Sequence, residues 1–178
     1  MNDKVVTPIN ERTYFEESEI IVSKTDLKGR ITYANHVFCR MAEMDTDELI
    51  GKPHNIIRHP DMPRCVFKLL WLTLAERQEI FAYVKNMSKS GRYYWVKAHV
   101  TPSYNEDGYV SGYHSTRRVP CENTLNIIQP LYANLLDVEQ QHSNPKEGLA
   151  ASMAVFTDML KDQGKTYDEL IWQLDELD

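Results

Sequence analysis

The stretch Glu79-Ile80-Phe81-Ala82-Tyr83-Val84-Lys85-Asn86-Met87, followed after five residues by Tyr93-Tyr94-Trp95-Val96-Lys97-Ala98-His99-Val100, reads as two strands folded back on each other. Ile80, Ala82 and Val84 alternate with Phe81, Tyr83 and Lys85, and Tyr94, Val96, Ala98 and Val100 alternate with Trp95, Lys97 and His99. Side chains on a pleated strand change face at every residue, so the two apolar sets predict a single buried face. Ser90-Gly91 is the expected hairpin turn, and Asp107-Gly108 is a second one leading into a strand over Tyr109–Arg117. Aromatic and polar residues occupy both faces of that last strand, so its inward face stays open.

Working toward the N-terminus, Glu19–Thr25 is rich in β-branched residues, and Asp26-Leu27-Lys28-Gly29 gives turn chemistry before Arg30-Ile31-Thr32-Tyr33. A hairpin is predicted there. Val37, Phe38, Met41 and Met44 then recur at helical spacing, and Asp45 with Glu48 has the form of a capping box for a short helix that Gly51-Lys52-Pro53 ends. Arg58-His59-Pro60-Asp61-Met62-Pro63 predicts an ordered loop, with Asp61 a capping-type residue for the helix that carries Val66, Phe67, Leu70, Trp71 and Leu74 on one stripe.

Beyond Pro120 the period lengthens to that of helices. Leu131, Leu135 and Val138 share a face, and Pro130 is placed at a helix start, where its missing N–H costs nothing. Asn144-Pro145-x-Glu147 opens a second helix with the stripe Leu149, Met153, Phe156 and Leu160, stopped near Gly164. Thr166 and Glu169 cap a third, which carries Leu170, Ile171, Trp172, Leu174 and Leu177. The division is an extension over 1–14, an α+β domain over 15–120 and a helical tail over 121–178.

The 178 residues are 42% hydrophobic with no apolar run long enough to cross a bilayer, and the first residues show no secretory leader, which predicts a cytoplasmic protein without membrane insertion. Cys39, Cys65 and Cys121 are too few and too scattered for a disulfide framework or a paired metal motif. The net charge of -6 argues against nucleic-acid binding, and its distribution is uneven: residues 1–120 carry 17 basic against 15 acidic side chains, residues 121–178 only 3 against 11. Dinucleotide, P-loop, zinc-protease and hydrolase motifs are absent, so no catalytic residues and no metal ligands are assigned, and an enzyme is not expected.

The order of strands and helices matches the PAS (Per-Arnt-Sim) fold, a five-stranded antiparallel sheet with helices over one face. Ile31-Thr32-Tyr33-Ala34-Asn35, the run Gly51-Lys52-Pro53-His54-Asn55-Ile56-Ile57-Arg58-His59-Pro60-Asp61-Met62-Pro63, Val84-Lys85-Asn86, Tyr93-Tyr94-Trp95-Val96 and Gly112-Tyr113 resemble the PAS domain of bacterial aerotaxis receptors over roughly residues 15–120. The chain shows no likeness to that family's membrane segments or methyl-accepting domain, and so resembles the separate PAS subunit of a bipartite energy-taxis receptor.

The resemblance implies a domain that binds FAD non-covalently and reports redox or energy state to a chemotaxis partner, such as a membrane-bound methyl-accepting receptor. It places Arg58, His59 and Asp61 in the FAD-site loop, Trp71 on the following helix, and Asn35 and Asn86 at the pocket edge. Residue types alone also allow Asp61 as a helix cap, Arg58 as its ion-pair partner and Trp71 as core. Glu79-Ile80-Phe81-Ala82 replaces the family's Pro-Trp-x-Gly, which puts Ile80 on the apolar face where a flavin, a haem or a small apolar ligand would lie. A haem-binding PAS sensor drawing on His54, His59, His99 or His114, and a cofactor-free docking or dimerising module, are the alternatives. The tail is the expected output element: its stripes pack on each other or on the outer face of the sheet, over Tyr93, Trp95 and His99, while the final helix with Ile171, Trp172 and Leu174 stays available to a membrane receptor's cytoplasmic region.

Overall fold

The computed structural model describes residues 6–176; the first five residues and Leu177, expected on the last helical stripe, lie outside them. Strands β1 (Ile21–Thr25), β2 (Ile31–Ala34), β3 (Ile80–Met87), β4 (Tyr93–Tyr104) and β5 (Val110–Arg118) form an antiparallel sheet in the order β2-β1-β5-β4-β3. Helices α1 (His36–Ala42), α2 (Thr46–Leu49) and α3 (Arg64–Ala75), with a 3-10 turn at His54–Ile57, lie over one face, and α4 (Glu122–Gln140), α5 (Pro145–Asp162) and α6 (Tyr167–Asp175) follow. This is the α+β PAS fold with a helical tail.

Local chemistry accounts for most of the punctuation. Gly29, Gly91 and Gly108 adopt φ of +73°, +94° and +78° in the three hairpin turns, a region that a Cβ disfavours. The Asp45 N–H donates to Glu48 at 3.1 Å to open α2, and the Asn144 side chain accepts from Lys146 N–H at 2.9 Å to open α5. Strand β4 runs on past Val100, its expected end, through Pro102 to Tyr104, paired throughout with β5.

The alternation predicted in β3 and β4 sets the layers. Ile80, Ala82, Tyr94, Val96 and Ala98 are buried beneath α1–α3 together with Ile21, Ile31, Phe38 and Leu74. On the other face, Trp95 is covered by Tyr132 of α4, at 6.2 Å between ring centroids, and Tyr83 and Lys97 both bond Asp175 of α6. The tail therefore packs on the sheet's outer face. His99 on that face stacks on Phe81 at 4.1 Å, and Tyr93 receives the Lys85 ammonium over its ring at 4.4 Å.

As the sheet's edge, β3 turns a row of carbonyls outward, and these are filled from three separate places. Tyr167 Oη donates to the Phe81 carbonyl at 2.7 Å, Tyr132 Oη to that of Tyr83 at 2.8 Å, and the His59 N–H to that of Lys85 at 3.3 Å. An edge strand covered in this way is protected against pairing with a second chain.

Two local expectations are corrected. Pro130 lies inside α4, which runs unbroken from Glu122 to Gln140. An interior proline costs about 3 kcal/mol, but Leu125, Ile128, Tyr132 and Leu135 all bury on one side of this helix, at about 1.5–3 kcal/mol for each large apolar side chain. Packing wins over propensity. Asp61 does not cap α3, whose N-cap position is held by Pro63, a residue with no side-chain acceptor.

Candidate functional site

A cavity of about 380 Å³ lies between α3 and the inner face of the sheet. Its wall on the helix side is Phe67, Leu70, Trp71 and Leu74, one stripe of α3 at helical spacing. The sheet contributes residues two apart on each strand, as the pleat requires: Ser23 and Thr25, Val84 and Asn86, Ala98 and Val100, and Tyr113, Ser115 and Arg117. Gly29, Lys28, Pro53–Asn55 and Arg58 complete the lining. Glycine is favoured at position 29 by its φ of +73°, and a Cβ there would stand a tight 3.2 Å from the Trp71 ring.

One end of this mostly apolar space is polar. Arg117 is 5% exposed, and its Nη2 donates to His54 Nε2 at 2.7 Å and to Ser23 Oγ at 3.1 Å. Both partners are neutral, and among the described residues no carboxylate pairs with the buried guanidinium. Burial pulls Arg117 down to about 10, which leaves it charged near neutrality. His54 is pushed down to about 3 by burial first and by the Arg117 charge second, so it is a neutral imidazole with Nε2 as acceptor.

Three of the residues that line the cavity carry a buried polar atom with no hydrogen-bond partner among the described residues: Asn86 Nδ2, Ser115 Oγ and Arg117 Nη1. Leaving a buried polar group unsatisfied costs about 1–3 kcal/mol, more when the group is charged. Three such groups on residues around one space mark it as a candidate ligand site.

Of the residues singled out in the sequence, Arg58, Trp71 and Asn86 line the cavity, and His59, Asp61 and Asn35 do not. The reason is the pleat. Arg58 bridges Asn86 at the edge of β3, so consecutive side chains leave on opposite sides. Arg58 turns inward, its Nη2 donating to the Met62 carbonyl at 2.7 Å and its guanidinium lying 4.2 Å from the Phe67 ring centroid. His59 turns outward to Tyr93, at 6.1 Å between centroids, and its Nδ1 accepts from the Asp61 N–H at 3.1 Å. Asp61 pairs with Lys85 at 2.6 Å, so Arg58 is not its ion partner.

Asn35 is the N-cap of α1 and ties that helix to β1. Its Oδ1 accepts from the N–H groups of Phe38 and Val22, and its Nδ2 donates to the Ile20 carbonyl. Ile80 is buried but outside the lining. Among the histidines weighed for haem, His54 alone lines the cavity; His99 bonds Glu79 on the outer face, and His114 pairs in register with Lys24 and Thr101. Among the described residues no group of three or more His, Cys, Asp or Glu is gathered for a metal.

Arg117, Ser115 and His54 form the polar end, and sequence reasoning did not select the first two. The available signal was the two-sided strand: Tyr113, Ser115 and Arg117 alternate, and a strand facing both a cavity and solvent has no apolar face to betray its orientation.

Comparison with known proteins agrees with the fold. The sequence family described as PAS fold matches residues 31–117. The aerotaxis receptor of Escherichia coli (strain K12) is 38% identical over 125 residues, which is 70% of this chain and 24% of the receptor. The nitrogen fixation regulatory protein of Klebsiella pneumoniae is 29% identical over 106 residues, 60% of this chain and 21% of that protein. The chain thus spans about a quarter or less of these relatives. Among solved structures, a light-oxygen-voltage domain studied with a flavin analogue superposes with a TM-score of 0.55 at 16% identity, covering 65% of this chain and 86% of that one, a likeness of fold.

Proposed function

This chain carries a PAS domain related to signalling proteins, and from that premise we propose that it is a flavin-binding sensor of redox or energy state. The observation that carries the proposal is the set of three unpartnered buried polar atoms, on Asn86, Ser115 and Arg117, in the lining of a mostly apolar cavity of about 380 Å³. An isoalloxazine ring has matching chemistry, an apolar planar body with carbonyls and ring nitrogens along one edge. Resemblance to the aerotaxis receptors supports FAD as the form bound.

When bound, a flavin supplies reversible uptake of electrons with a change in the charge and protonation of its ring. The chain's own residues do the rest. Asn86 and Arg117 would donate to ring acceptors, and Ser115 would donate or accept. Arg58 keeps N–H groups beyond the one spent on Met62 for a phosphate or ring carbonyl, and Lys28 stands exposed on the lining for the phosphate-bearing tail. His54, the histidine that would have to ligate a haem, already accepts from Arg117 at its Nε2. That engagement favours flavin over haem.

The proposed output goes to a chemotaxis-type signalling protein, such as a membrane-bound methyl-accepting receptor, with the chain acting in the cytoplasm, without catalysis and with homodimerisation as a further option. Among the described residues no helix is long and apolar enough to cross a membrane, which fits a reading in which the membrane part lies on the partner. Leu170, Ile171 and Leu174 of α6 are spent on the sheet, but Trp172 is 70% exposed on an acidic tail and is the part of that helix open to such a partner.

The test is the absorption spectrum of the purified protein, before and after incubation with FAD and gel filtration. Retained flavin bands near one per chain are expected. A Soret band, or no retained chromophore after incubation, overturns the reading.

A further inference from the structure

The N-terminus of α3 is closed from far away in the chain. Its first turn has no local capping side chain, since Pro63 stands at the N-cap. Glu139, near the end of α4, fills the gap: one carboxylate oxygen accepts from the Cys65 N–H at 3.0 Å, and the other from Arg64 Nε at 2.9 Å. The acidic charge sits at the positive end of the helix. Ser152 of α5 also donates to Glu139, at 2.9 Å, and the side chain is 3% exposed.

The two tail helices meet at the same point. A Cβ on Gly148 of α5 would lie 2.5 Å from the Glu139 carbonyl oxygen and 3.3 Å from Arg64 Nη2, so only glycine permits this approach. The opposite stripe of α3 is the wall of the cavity, and Arg58 of that cavity lies in the field of the Glu139 charge. One buried carboxylate thus joins both helices of a hairpin to the helix that any ligand must touch.

We propose that Glu139 is a positioning residue that latches the α4–α5 hairpin to α3, so that the seating of the tail and the set of the cavity wall are coupled. The coupling is reciprocal: whatever loosens the latch weakens the ligand, and whatever re-sets α3 loosens the tail. It extends the flavin reading by naming the route from cavity to tail, and only the ligand half of its test rests on that reading.

Cys65 is the reporter, because its N–H is in the latch and its thiol is fully buried. In the full chain with Cys39→Ser and Cys121→Ser, alkylation of Cys65 by N-ethylmaleimide is followed for the unaltered latch, Glu139→Ala, Glu139→Gln and Ser152→Ala. Leu49→Ala, remote from the latch, serves as a control adjusted with urea to the same global stability. Glu139→Ala is expected to speed alkylation at least tenfold beyond the control, Ser152→Ala severalfold, and Glu139→Gln, which keeps an acceptor for Cys65, less than Glu139→Ala. FAD affinity of folded Glu139→Ala should fall at least fivefold. If Glu139→Ala does not fold, Ser152→Ala against Leu49→Ala decides. Alkylation no faster than the control overturns the latch, and unchanged FAD affinity overturns its link to the cavity. Should the unaltered protein bind no FAD, the flavin reading falls while the thiol rates still decide whether the latch exists.

Discussion

Arg58 and His59 are neighbours in sequence with their side chains on opposite sides of the sheet edge, one lining the cavity and the other 3% exposed against Tyr93. Their replacement should therefore fail in different ways. Arg58→Ala is expected to lower FAD affinity about tenfold or more, the loss of one charged hydrogen-bonding group, with little change in melting temperature. His59→Ala should cost about 1–3 kcal/mol of stability and leave the affinity of the folded fraction within about threefold. Flavin titration and urea unfolding on each variant separate the two.

Arg117 carries a buried charge whose hydrogen-bond partners are both neutral. Such a group is a burden to the ligand-free fold, since apolar replacements of buried ions are often neutral or stabilising by about 1–4 kcal/mol. Arg117→Met should leave the ligand-free protein at least as stable as the parent and reduce FAD affinity at least tenfold. Greater stability with unchanged affinity would remove Arg117 from the site.

His54 gives the fold a predictable acid sensitivity. Its ordinary value is 6.5 and burial, then Arg117, lowers it to about 3, so the unfolded chain binds a proton that the folded one refuses. The stability is complete above 6.5 and is lost as pH falls toward 3, at no more than about 1.4 kcal/mol per pH unit. The advantage of the parent over His54→Gln should therefore shrink between pH 6.5 and 5 in urea titrations; parallel stability curves would show that His54 titrates normally.

The β3 edge supplies a third kind of test. Tyr132→Phe and Tyr167→Phe each remove one hydroxyl from an edge carbonyl and nothing else, at about 1 kcal/mol apiece. The double variant should also associate at concentrations where the parent is monodisperse, because an unsealed edge is a template for pairing. Light scattering after matched heating checks this.

Much of the fold was open to sequence reading because it rests on local period and punctuation. The alternation of Ile80, Ala82 and Val84, the glycines of the turns, and the caps at Asn144 and Thr166 are decided by residues a few positions apart. What was hidden depends on distant partners. Pro130 reads as a helix start until the packing of Leu125 and Ile128 ahead of it is known, and Asp61 reads as a cap until Glu139 reaches Cys65 from 74 residues further on. Arg58, Trp71 and Asn86 reach the cavity, whereas Asn35, His59 and Asp61 show the other limit. A motif marks a loop, but which of its side chains face inward is settled by the strand it borders.

The bonds that seal the sheet also order events during synthesis. Tyr83 leaves the ribosome 92 residues before Asp175, the residue its hydroxyl bonds, and Phe81 precedes Tyr167 by 86. At roughly 5–20 residues per second, the strand edge lacks these partners for about 4–18 s after its own residues are made. For that interval the nascent chain presents an aromatic, pairing-competent surface, the kind that chaperones bind. The last helices thus end a period of exposure as well as completing a structure.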